Sequence, residues 1–221
     1  MANTPRFDDP GALSGVLAGV SFVGGLATGL SLADTPFPRP GADVKDVQRF
    51  FIGSAGPERI SVTGQLISAA SLARFSVSVT RLAGRAGRGS KALRAAAIAG
   101  GALASISLAA SATAAAALTA GPGRDEDRVR FLHRFVFAAG GPVHGAGLAL
   151  LLGALGLAGL RTGALPRPLA VAVLTSAGVD ALAPVVLAAP KAALVIPAGR
   201  FPSFVVLGIT GVRLARGSGG G

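Results

Sequence analysis

Cysteine, tryptophan and tyrosine are all absent from this sequence of 221 residues. Without Cys there is no disulfide framework, no thiolate metal site and no Cys nucleophile. Without Trp and Tyr, an aromatic belt at a membrane interface falls to the 11 Phe residues alone. Charge is scarce as well: Asp, Glu, Lys and Arg make up 14% of the chain, against roughly a quarter in a soluble domain. Lys occurs only at 45, 91 and 191, and His only at 133 and 144.

What is present is apolar. Hydrophobic residues make up 51% of the chain, and the mean hydropathy is +0.61. That balance excludes disorder and argues against a water-soluble globule. It points to an all-α, polytopic membrane protein. The 21 basic residues outnumber the 10 acidic ones, leaving a net charge of +11. In a membrane protein this excess fits anionic lipid headgroups better than nucleic acid. The bias towards Arg, Ala and Gly points to a bacterial genome rich in G and C.

A crossing helix needs roughly 20 apolar residues. Six stretches approach that length, at about 12–33, 60–80, 95–120, 135–160, 169–189 and 192–212. The first is expected to be a retained span rather than a signal peptide. Asp8 and Asp9 spoil any basic n-region, and the run is long for an h-region. The sixth stretch crosses only if it extends back through Arg200; otherwise five spans and a half-inserted tail remain. Counts of Lys and Arg are nearly equal on the two sides. The dense basic loop with Arg81, Arg85, Arg88, Lys91 and Arg94 decides the expected orientation, with both termini cytoplasmic in the inner membrane.

Between the first two spans, residues 42–52 carry Val44, Val47 and Phe51 at i, i+3 and i+7. This spacing predicts a short amphipathic helix. It is expected to lie on the outer membrane surface, with Phe50 and Phe51 touching lipid. Small residues recur at four-residue spacing, as in Gly11, Gly15 and Gly19, or Gly141 and Gly145. These stripes are expected to pack helices within the chain.

Four ionisable residues fall inside the spans and form the candidate polar site: Arg74, His144, Asp180 and Arg200. Asp180 stands near the middle of span five, and Pro184 removes the N–H that its carbonyl would accept. A carboxylate beside broken backbone is a common cation or proton site in transporters. The competing expectation is structural. Spans five and six turn near Pro190 and Lys191, ten residues from both Asp180 and Arg200. Equal depth favours an Asp180–Arg200 ion pair. His144 reads as a hydrogen-bonded packing histidine, and Arg74 as a residue snorkelling to the interface. His133 lies too far along the helix from His144 to share a metal.

No phosphate-binding loop, dinucleotide fingerprint, nucleophile elbow or metal motif occurs. No metal, cofactor or enzymatic reaction is expected. Gly84 to Gly89 reads as a basic turn, and Asp125, Glu126 and Asp127 as the solvated start of a helix.

Three stretches carry a family likeness: Ala42 to Phe51, Leu160-Arg161-Thr162-Gly163-Ala164-Leu165-Pro166-Arg167-Pro168-Leu169, and Gly199-Arg200-Phe201-Pro202 onward to Leu214. In these the chain resembles a loose group of uncharacterised six-helix membrane proteins of actinobacterial type. Pro168 stands where such proteins often carry Trp. The resemblance implies a topology and no activity. The expected function is a non-enzymatic structural or partner-binding subunit, as a homo-oligomer or beside another membrane protein. The alternative is a small proton- or ion-coupled transporter centred on Asp180.

Overall fold

The computed structural model describes residues 8–120, 125–189, 192 and 194–217. All its regular elements are helical. A 3-10 turn, Pro10–Leu13, leads into α1 (Ser14–Leu32). Then come α2 (Val44–Gly53), α3 (Ala55–Gly84) and α4 (Ser90–Leu118). α5 (Glu126–Ala138) runs through a π turn, Ala139–Val143, into α6 (His144–Thr162). α7 (Arg167–Asp180) is followed by a 3-10 turn, Ala183–Leu187, and α8 (Val195–Ala215) ends the fold.

Local chemistry sets these boundaries. The Asp43 side chain caps α2 by accepting from the Lys45 N–H, and Asp125 caps α5 by accepting from Asp127. The acidic cluster is thus the start of a helix. Gly163, with φ 69°, ends α6 in a left-handed turn that other residues resist. Pro166 then caps α7. The turn at Gly84–Gly89 is closed by Gly87 and Gly89, both at positive φ, and by an Arg161 guanidinium that donates to the Arg88 carbonyl at 2.9 Å.

The helices α1, α3, α4, α6, α7 and α8 form a ring in which each packs on the next, and α8 closes back onto α1. Glycine makes the close approaches. A Cβ on Gly25 would overlap the Gly64 backbone, and one on Gly100 would overlap Leu151 and Gly147. Gly15 and Gly19 lie against Leu207 and Phe204 of α8. The small-residue stripes therefore pack within the chain, as expected. Lipid tails are as apolar as Leu, so such contacts rather than hydrophobicity hold a bundle together. Inside the ring, Leu72, Leu108, Leu148, Leu155 and Leu207 are fully buried. Outside it, Leu17, Val20, Ile98, Ile106, Val205 and Ile209 stay exposed.

Five helical stretches are long and apolar enough to cross a membrane: Pro10–Leu32, Ser90–Leu118, Glu126–Thr162, Arg167–Leu187 and Val195–Ala215. α3 has the length, with 30 residues, but is more polar. At one end of the ring the Asp9 N–H donates to the Leu214 carbonyl at 3.1 Å, so the first and last helices finish side by side.

α2 lies at the opposite end of the ring, and here an expectation is overturned. Phe50 and Phe51 do not touch lipid. Both are buried with Val44, Val47, Val62, Ala115, Leu118 and Val129. Phe37 meets both rings edge-on. The reason is α5, which extends beyond the expected span start at 135 and gives the α2 stripe a protein surface to cover. The expected hairpin turn at Pro190 and Lys191 lies outside the described residues.

Candidate functional site

The polar site is built where helices break. α7 stops at Asp180, and Pro184 leaves the Asp180 carbonyl without its i+4 donor. Span five is therefore a helix, a break and a 3-10 turn rather than one continuous rod. Span four stays one continuous helix but widens at the π turn Ala139–Val143, which contains Pro142, and π turns gather at functional positions.

The Asp180–Arg200 ion pair expected from equal depth does not form: the two charges do not meet within 4 Å. Ion pairs at that distance among the described residues are Arg49–Asp46, Arg74–Asp9, Arg81–Asp9 and Arg130–Asp127. The reason is rotation about α8. Gly199 and Ser203 are one turn apart and face α7 together. Ser203 Oγ donates to Asp180 Oδ2 at 2.6 Å, and Gly199 lies under Oδ1. Arg200 sits about 100° further round the helix. Its Nη2 donates to the Gly140 carbonyl and, at 3.4 Å, to Gly141. Its guanidinium carbon lies 5.3 Å from the Phe22 ring centre. Arg200 thus closes the π turn, and Asp180 ties α7 to α8.

His144 is fully buried beside them. Its Nδ1 is 2.9 Å from the Ala104 carbonyl. A carbonyl only accepts, so Nδ1 carries the hydrogen and Nε2 is left as an acceptor. That Nε2 is buried with no partner. The ring lies beside Phe22 and Phe204, 6.5 and 6.2 Å from their centres, and those two rings stack on each other at 4.6 Å. His133 is elsewhere, against Phe51 in the cluster beside α2.

Arg74 has a partner within the chain. Its Nη2 lies 3.9 Å from Asp9, and Arg81 meets the same carboxylate at 3.3 Å. Arg85 and Arg94 border the same hollow, of about 660 Å³, near the chain ends.

A second hollow, of about 440 Å³, opens in the half of the bundle nearer α2, between α1, α3, the π turn and α8. Arg200 lines it, as do Glu58, Gln65, Ser61 and Ser111 among apolar side chains. Ser61 and Ser111 are already spent on the carbonyls of Gly25 and Val136. Glu58 is buried in the first turn of α3, ahead of the apolar stretch, and loss of water pushes its carboxyl up to about 7.

Sequence reading passed over Glu58, Gln65, Ser203 and Asp9. Ser203 had a legible signal, since it stands one turn from Gly199. Asp9 had none, because its partners are 65 and 72 residues away. No known protein family, curated protein or solved structure matches the chain.

Proposed function

We propose that the chain is a six-span integral protein of a bacterial inner membrane, serving as a non-enzymatic structural or partner-binding subunit. One observation carries this reading. Each intramembrane charge is spent on a neighbouring helix, Asp180 on Ser203 and Arg200 on the π turn. Charges held this way fasten helices and are not poised for chemistry.

The sixth crossing is the 60–80 stretch of α3. At ~1.5 Å per residue it is about 31 Å long, enough for the hydrocarbon of a bilayer. An even number of crossings is supported by the contact between Asp9 and Leu214 at opposite ends of the chain. Both ends are placed in the cytoplasm beside the basic turn at Arg85, Arg88 and Lys91, where anionic headgroups offset the net charge. The six-helix group that the chain resembles has the same layout.

The test uses the absence of Cys. Single cysteines at Arg39 and Arg88 are expected to label from opposite sides of the membrane, with Arg88 cytoplasmic. Cross-linking in native membranes is expected to trap a second copy or another membrane protein. Labelling from one side alone, or no cross-linked species at all, refutes the reading.

One observation favours a carrier instead: the broken end of α7 and the π turn between α5 and α6 lie next to a carboxylate and an unpartnered His144 Nε2. Proton flux in proteoliposomes that vanishes in Asp180→Asn would establish that alternative.

A further inference from the structure

The hollow nearer α2 faces two unlike charges that do not meet each other. Glu58 stands at the level of Gly29, because Gly29 packs on Pro57 and Ser61. Arg200 stands at the level of Phe22. Seven residues of α1 separate those levels, which is about 10 Å at the helical rise. Gln65 stands between them in depth, because its neighbour Gly64 packs on Gly25. Neither the Glu58 carboxylate nor the Gln65 amide has a hydrogen-bond or ion-pair partner among the described residues. Read inward from the α2 end, the wall offers an acid, an amide and a base.

That order matches one kind of lipid. A phospholipid with a primary amine presents its ammonium outermost, its phosphate next and its acyl chains below. The chains also have a place to lie. On the lipid side of the α1–α8 seam a groove of about 590 Å³ is lined by Val16, Val20, Val23, Val205 and Ile209. On α8 it starts at Phe204 and Val205, within a turn of Phe201 on the wall of the hollow, and on α1 it runs inward from Gly24 to Val16, about two turns.

We infer that the hollow nearer α2 seats the headgroup of a phospholipid bearing a primary ammonium and a phosphate, with one acyl chain along the α1–α8 groove. Glu58 takes the ammonium, and Gln65 and the guanidinium hydrogens that Arg200 does not give to the Gly140 and Gly141 carbonyls take the phosphate. A trimethylated headgroup has no N–H to give Glu58. An anionic headgroup without an amine brings phosphate to Arg200 but leaves Glu58 unpaired and repelled. The inference needs the bundle to lie in a bilayer and does not depend on the subunit reading.

The experiment is a lipid titration of the purified full chain in non-ionic detergent, followed by native mass spectrometry. Phosphatidylethanolamine, phosphatidylcholine and phosphatidylglycerol with matched acyl chains are compared, and glycerophosphoethanolamine serves as a chain-free competitor. The ethanolamine lipid is expected to bind roughly ten-fold tighter than either other lipid, as one charge-assisted contact provides. Glu58→Gln is expected to erase its advantage over the choline lipid, and Glu58→Lys to turn the preference to phosphatidylglycerol. Arg200 is left intact because it closes the π turn; Gln65→Leu is the second variant, expected to weaken the ethanolamine lipid several-fold. Equal binding of the three lipids overturns the inference, as does a preference that survives Glu58→Gln. Competition by glycerophosphoethanolamine as strong as by the lipid overturns the lipid assignment and leaves a site for a small soluble zwitterion.

Discussion

Gly199 lies so close to the Asp180 carboxylate that a Cβ on residue 199 would overlap Oδ1. The two residues are the contact at which α7, just before its break, meets α8. Gly199→Ala is therefore expected to lower thermal stability in detergent, by about 1–3 kcal/mol for an overpacked contact. Gly178→Ala is the control. It has open space around it, and its higher helix propensity is worth up to ~1 kcal/mol in the opposite direction. Equal effects at the two positions would refute the contact.

A second prediction concerns coupling. Asp180 is bonded to Ser203 and not to Arg200, so Ser203 is its energetic partner. Ser203→Ala is expected to cost about 1–3 kcal/mol, because a buried carboxylate loses its donor. In thermal cycles, Asp180→Asn with Ser203→Ala is expected to show the larger interaction energy, and Asp180→Asn with Arg200→Gln the smaller. Rescue of Asp180→Asn by Arg200→Gln would show that the two charges pair after all.

Phe51 separates two placements of α2. Fully buried at the α2 end of the ring, it is expected to cost about 3–5 kcal/mol on replacement by Ala. Phe131 on the exposed side of α5 is expected to cost almost nothing. If α2 floated on lipid, the two replacements would melt alike.

Glu58 predicts a pH dependence for the lipid-free protein. Its carboxyl is raised from the ordinary 4.5 to about 7 by burial, so the folded chain keeps a proton that the unfolded chain releases. Stability from this group is full below about pH 4.5 and is lost as the pH rises through 7. Melting temperature is expected to fall between pH 5 and 8, and Glu58→Gln is expected to flatten that slope. A slope unchanged in the variant would place the titration elsewhere.

Much of the helical layout was legible because its signals are local. Apolar runs, Asp caps and Gly turns act over a few residues, so the starts of α2 and α5 and the turns at Gly87 and Gly163 could be read directly. The breaks were half legible. Pro184 announced the one after α7, but nothing read from the sequence announced the π turn at Ala139–Val143. The helix start at Asp125 was read from its acids, but the span was begun only at 135 because Glu126 to Arg134 carry no apolar run.

The polar site divides the same way. Residue counting along the chain singled out Arg74, His144, Asp180 and Arg200, and their equal distance from Pro190 led to the expectation that Asp180 and Arg200 share a depth. Depth along a helix follows from its rise per residue, which is the same for every sequence. Which way each side chain points depends on how α7, α8 and the π turn are rotated against one another. That rotation is set by the Gly contacts between helices distant in sequence. The tertiary structure alone gave Asp180 to Ser203, turned Arg200 to the Gly140 carbonyl, and brought Asp9 to Arg74, Arg81 and Leu214.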